Sequence, residues 1–118
     1  MMSYVSSTKP GVVRGPHEHK GQTDFFCIIG PSTFGLYLWD NRPDSPTYNR
    51  KCQYEMGENF MASVIIPPGV VHAYKNIGTV DGLVYNAPNK LYAGTGKKEP
   101  VDEIRYEDND NSRFKIQY

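Results

Sequence analysis

The chain is poor in everything that would tie it to a polyanion, a membrane or an oxidising compartment. Its 118 residues carry thirteen basic and thirteen acidic side chains, which cancel. No Lys/Arg cluster exceeds a pair, Arg50-Lys51 or Lys97-Lys98. That leaves no basic groove for nucleic acid and no polybasic patch for a lipid surface. No apolar run reaches the roughly 18 residues of a membrane span. Met1-Met2-Ser3-Tyr4 opens the chain without the basic, apolar and small-residue order of a signal peptide. Two cysteines, Cys27 and Cys52, make no disulfide framework. Both are expected to be reduced thiols in the cytoplasm. Helical periodicity is also missing, because apolar residues rarely recur at i, i+3, i+4 and i+7.

Turn formers and aromatics are plentiful: eleven Gly and nine Pro stand beside nine Tyr and five Phe. This is the balance of an all-β chain. Strand signals occur at Tyr4-Val5-Ser6, Gly11 to Arg14, Phe25 to Ile29, Phe34 to Trp39, Ser63 to Ile66, His72 to Tyr74 and Leu83 to Tyr85. Gly30-Pro31, Asp40-Asn41 and Pro67-Pro68-Gly69 punctuate them, as in a sandwich or barrel. The stretch from Asn86 to Asn111 reads as loop, and Glu107-Asp108-Asn109-Asp110-Asn111 as a solvated acidic turn. The length suits one domain, residues 1–118. A chain this small has little core, so a homodimer is expected.

All three histidines fall in two short segments. His17-Glu18-His19 places two imidazoles two residues apart, which on a strand is one face. Lys20-Gly21-Gln22 reads as a turn, and Asp24 begins the next strand. His72 follows Pro67-Pro68-Gly69, whose restricted backbone sets where its strand begins.

Gly11, His17, His19, Asp24 and Gly30, followed by Pro67, Gly69, His72 and Asn76, resemble the two motifs of the cupin superfamily. The resemblance implies a double-stranded β-helix, a jelly-roll barrel with its site inside. A narrower likeness runs nearly the whole length. Gly11-Val12-Val13-Arg14-Gly15-Pro16-His17, Trp39-Asp40-Asn41-Arg42 with Ser45-Pro46-Thr47-Tyr48, and Ile66 to Ala73 resemble the dTDP-4-dehydrorhamnose 3,5-epimerases. Arg14 to Lys20 is also similar to the dTDP-4-keto-6-deoxyhexose 3,4-ketoisomerases.

That likeness implies proton transfer next to the ketone of a nucleotide sugar, with no cofactor. It makes His17 the base and Tyr85 the acid across the ring. Arg14, His19 and His72 would line the sugar and diphosphate side. Asp24 stands where the epimerases have a lysine, and the chain ends before the segment that carries their base's aspartate partner. His17 is therefore expected to be oriented by His72 or Asp24, and to be a weaker base. Two other readings use the same residues. One is a metal cupin in which His17, His19, Asp24 and His72 hold Zn, Ni, Fe or Mn. The other is a sugar-binding cupin without catalysis.

Overall fold

The computed structural model describes residues 2–91 and 93–116. Its regular elements are nine strands and two single-turn 3-10 helices, at Thr95–Lys97 and Tyr106–Asp108. The strands are β1 (Tyr4–Thr8), β2 (Val13–Glu18), β3 (Asp24–Gly30), β4 (Thr33–Asp40), β5 (Lys51–Gly57), β6 (Ala62–Ile66), β7 (Val70–Asn76), β8 (Gly82–Asn86) and β9 (Ile104–Arg105). They form two antiparallel sheets, ordered β1-β8-β3-β6 and β5-β4-β7-β2-β9. This is the all-β jelly roll that the motifs imply.

The period of two decides what each strand buries. On β7, Val70, His72, Tyr74 and Asn76 alternate with Val71 and Ala73. On β4, Phe34 and Leu36 alternate with Tyr37 and Trp39. The first set of each strand enters the core between the sheets, with Phe26, Ile28, Met56, Ile66 and Val84. The second set faces outward and is still buried, because the C-terminal segment folds over it. Phe114 packs on Trp39 with ring centroids 5.9 Å apart, and Tyr106 packs on Phe114 at 4.7 Å. So β4 and β7 are buried on both faces, which explains why His72 sits in so dense a strand.

Two strands escape the sequence reading, and both are sheet edges. In β5 the first five residues, Lys51 to Glu55, are all exposed. It therefore lacks the apolar alternation that marks a half-buried strand. β9 has two residues and exists by pairing, His17 with Arg105 and Glu18 with Ile104.

Two motif residues prove to be builders of the frame. Asn76 is fully buried. Its amide donates to the carbonyls of Thr8 and Val80, both at 2.8 Å, and its oxygen accepts from Ser32 Oγ at 2.6 Å and the Gly78 amide at 3.0 Å. Asp40 gathers Arg42, Ser45 and Thr47 around one carboxylate. The Arg42 guanidinium holds its pKa well below the ordinary carboxylate range; burial opposes this and the two hydroxyls add to it. The Asp-Asn-Arg and Ser-Pro-Thr text is thus one knot of loop structure, and none of it lines the cavity described next.

Candidate active site

Between the sheets opens a cavity of about 1010 Å³. Its walls come from the inward residues of β1, β2, β3, β7 and β8, and its rim from the segment around Lys90 to Glu107. The volume lies at the upper end of small-molecule sites, roughly 300–1,000 Å³.

The three histidines meet on one wall. β2 pairs with β7 so that His17 stands opposite His72. A bulge between Arg14 and His17 shifts the register there. Gly15 is indispensable at that bulge: it has φ +101°, and a Cβ on it would stand 2.7 Å from the His72 carbonyl oxygen. The His72 ring lies 6.2 Å from that of His17 and 5.6 Å from that of His19, centroid to centroid. Phe26 packs its edge against His72 at 5.6 Å.

His19, Asp24 and His72 form a closed group. Asp24 Oδ2 is 3.0 Å from His19 Nε2 and 3.5 Å from His72 Nε2. Asp24 Oδ1 accepts from Gln22 Nε2 at 2.7 Å. Each imidazole anchors its other nitrogen on a backbone carbonyl, His19 Nδ1 on Asp102 and His72 Nδ1 on Val70 at 3.1 Å. Burial alone would lower the His19 pKa, but the bonds to Asp24 and to the Asp102 carbonyl outweigh it and the net shift is upward. Burial likewise opposes ionisation of Asp24, yet His19 and Gln22 bring its pKa below the ordinary value. The proton of this pair therefore rests on His19. His72 is pushed down to about 4, chiefly by burial, and is neutral at pH 7.

The donor set also suits a divalent metal. The three ligand atoms lie within 4.8 Å of one another. Donors at 2.0–2.2 Å around a tetrahedral ion are about 3.4 Å apart, close to the 3.0 and 3.5 Å from Asp24 Oδ2 to the two Nε2 atoms. Carbonyl-anchored Nδ1 atoms leave both Nε2 atoms as ligands. Of the four residues expected from the motifs, His19, Asp24 and His72 come together and His17 stands outside the group. The reason is that its two nitrogens are engaged elsewhere.

His17 faces the C-terminal segment. Its Nε2 is 2.8 Å from Glu107 Oε2 and its Nδ1 is 3.4 Å from Glu103 Oε1. Neither His72 nor Asp24 makes that contact, so the expected orienting groups are replaced. The Glu107–Asn111 turn is exposed as expected, with Asp108 68% exposed, but the Glu107 side chain, 26% exposed, turns its carboxylate to His17. The segment is pinned beside His17 by β9. The Asp102 carboxylate pins it again by accepting the amides of Lys20, Gly21 and Gln22 at 2.8, 2.8 and 3.0 Å. Tyr106 completes the hold by donating to Glu18 Oε1 at 3.0 Å.

Arg14 lines the cavity with its guanidinium braced on β1, Nε on Thr8 Oγ1 at 3.0 Å and Nη2 on the Ser7 carbonyl at 3.2 Å. Tyr85 does not line it. On β8 the buried residues are Gly82, Val84 and Asn86, and Tyr85 shares the outer face with exposed Leu83. The phenols that do reach the cavity among the described residues are Tyr4 and Tyr74. Burial raises the pKa of both, so each keeps its proton at neutral pH. Tyr4 accepts from Asn86 Nδ2 at 2.8 Å, which leaves its own O–H to donate. Strand parity in Tyr4-Val5-Ser6 could have flagged it, had the inward face of β1 been known.

Residues 2–112 match the family model of dTDP-4-dehydrorhamnose 3,5-epimerase. The chain is 43% identical over 93 residues to the probable low-salt glycan biosynthesis epimerase of Haloferax volcanii, covering 77% of this chain and 58% of that one. It is 38% identical over 74 residues to a spore coat polysaccharide biosynthesis protein of Bacillus subtilis, covering 62% of this chain and 48% of the other. The chain thus spans about half the length of the curated relatives it matches. In fold it is similar to a dTDP sugar isomerase of Desulfovibrio desulfuricans G20, with TM-score 0.78 and 24% identity over 88% of this chain and 62% of that one. With the motifs around His17 and His72 both inside the matched residues, the chain belongs to the dTDP-4-dehydrorhamnose 3,5-epimerase family.

Proposed function

We propose that the protein is a nucleotide-deoxysugar epimerase or isomerase that moves a proton next to a sugar ketone. The observation that carries this reading is His17: an imidazole at the wall of a large cavity with a carboxylate 2.8 Å from one nitrogen. His17 takes the proton from the carbon beside the ketone. The C–H electron pair passes into an enolate, which neighbouring donors stabilise. Tyr4, on the opposite sheet from His17, returns a proton to the other face of the ring. This replaces Tyr85, which points away. Arg14 is the side chain for the diphosphate of a dTDP-type substrate, and His72 and His19 back the sugar. No cofactor enters these steps.

The test is solvent deuterium incorporation into a dTDP-4-keto-6-deoxyhexose, followed by NMR. Exchange at C3 and C5 marks a 3,5-epimerase. Exchange at C3 alone marks a ketoisomerase or a single-centre epimerase. A rate no faster than that of His17→Asn leaves a sugar-binding protein and refutes the proposal.

The closed group supports a second reading, a divalent metal held by His19, Asp24 and His72. Such an ion would act as a Lewis acid on the ketone. His17 stays outside the ligand set and keeps its role as base. Elemental analysis of the purified protein decides between the two readings.

Two further points rest on the surface. Cys27 and Cys52 are free thiols, which favours the cytoplasm. Among the described residues no helix is long and apolar enough to cross a membrane. The outer face of the β1-β8-β3-β6 sheet leaves Val5, Ile29, Ile65 and Leu83 exposed, in contrast to the outer face that Phe114 covers. A second copy of the chain on that face would make the expected homodimer, and sedimentation at micromolar concentration reads it.

A further inference from the structure

The epimerase reading needs a base whose reactive nitrogen is defined, and three observations specify which nitrogen that is. First, the two contacts of His17 are unequal. Nε2 to Glu107 Oε2, at 2.8 Å, is a charge-assisted hydrogen bond, whereas Nδ1 to Glu103 Oε1, at 3.4 Å, lies at the edge of contact. Second, the backbone that carries the carboxylates is built onto the strand that carries the base. β9 pairs with His17 and Glu18, and the 3-10 turn Tyr106–Asp108 then returns Glu107 to the ring. Third, the two carboxylates are themselves held. Arg105 reaches Glu103 Oε2 at 3.2 Å and Glu107 Oε2 at 3.4 Å.

The remaining neighbour of the ring is His72, which is buried against Asp24 and has given its Nδ1 to the Val70 carbonyl. The charged groups facing His17 are therefore Glu103 and Glu107, with Arg105 behind them, all from one short segment.

We propose that Glu107 is the positioning residue of the base: it accepts the Nε2–H of His17 and thereby makes Nδ1 the nitrogen that takes the substrate proton. The hydrogen bond on one ring nitrogen sets the protonation of the other. Glu103 has no part in setting the tautomer. This inference rests on the proton-transfer reading only for its use of Nδ1, because the tautomer exists without substrate.

The experiment is long-range proton–nitrogen NMR on the nitrogen-15-labelled protein at alkaline pH. The expected wild-type signal for His17 is the Nε2–H tautomer. Glu107→Asp and Glu103→Gln keep it; Glu107→Gln loses it to Nδ1–H or to a mixture. Backbone amide shifts outside residues 100–112 serve as the control for folding. Deuterium exchange on the same proteins should fall about 10–100-fold in Glu107→Gln, less than the roughly 10²–10⁴-fold worth of the base itself. It should fall less than about threefold in Glu103→Gln and recover in part in Glu107→Asp. An Nδ1–H tautomer in the wild type overturns the assignment even where Glu107→Gln does not fold. So does a tautomer indifferent to Glu107→Gln, or a larger loss from Glu103→Gln. The expected tautomers with no exchange in any protein would sink the proton-transfer reading and leave the hold on the ring intact.

Discussion

Two histidine groups share one wall of the cavity and differ in what surrounds them. His19, Asp24 and His72 are buried and close on one another and on backbone carbonyls. His17 is 18% exposed in its side chain and meets carboxylates that arrive from the far end of the chain. A single motif has therefore been divided into two parts. In the inner part the hydrogen bonds favour a proton on His19 and an ionised Asp24, and burial keeps His72 neutral. The outer part holds an imidazole at the cavity surface, where a proton can come and go. Hydrogen bonds that outweigh burial set the direction for His19 and Asp24, burial sets it for His72, and access to the cavity keeps His17 available.

The comparison can be broken by substitution. The largest expected effect is on chemistry: His17→Asn should slow deuterium exchange by about two to four decades, the usual worth of a general base. NMR of the substrate reads it, and the stability of the protein should be nearly unchanged. Asp24→Asn should do the reverse. Removing one partner of a buried pair typically costs about 3 kcal/mol, visible as a lower denaturation midpoint. Exchange per folded molecule should stay within about tenfold of wild type. If Asp24→Asn abolished exchange as completely as His17→Asn, the division would be wrong.

A third test uses the Asp40 knot as a reference for scaffold. Its carboxyl pKa is depressed in the fold, so its contribution is present above the unfolded value near 4 and is lost as pH falls below it. Asp40→Asn should cost about 1–3 kcal/mol at pH 7. The gap from wild type should shrink below pH 4 in acid titrations of the denaturation midpoint. Exchange per folded molecule should not respond. The smallest effects concern the acid. Tyr4→Phe should slow turnover about tenfold or more, and Tyr85→Phe should leave it unchanged. The opposite pattern would return the role to Tyr85.

Much of this was legible in the residues, with a clear boundary. Strands with an apolar inward face, such as β3, β4 and β7, announce themselves by alternation and by the Gly and Pro that end them. Spacing put His17 and His19 on one strand face, and the resemblance to the cupin motifs implied that His72 joins them. β5 was hidden because an edge strand with exposed positions has no apolar period. Glu107 was hidden because its role depends on β9, a two-residue pairing far along the chain that no local pattern signals. The outward position of Tyr85 is illegible for a simpler reason. Leu83-Val84-Tyr85 alternates either way round, and only the packing of Val84 in the core shows which parity faces inward.

The central claim is that the proton moves through His17 while the inner group serves as structure. It is tested most directly by measuring deuterium exchange at C3 and C5 on protein stripped by a chelator and checked for metal content. The account predicts that stripped wild type exchanges at its original rate and that stripped His17→Asn does not. Exchange that vanishes on stripping and returns with added Zn²⁺, in wild type but not in His72→Ala, would contradict it.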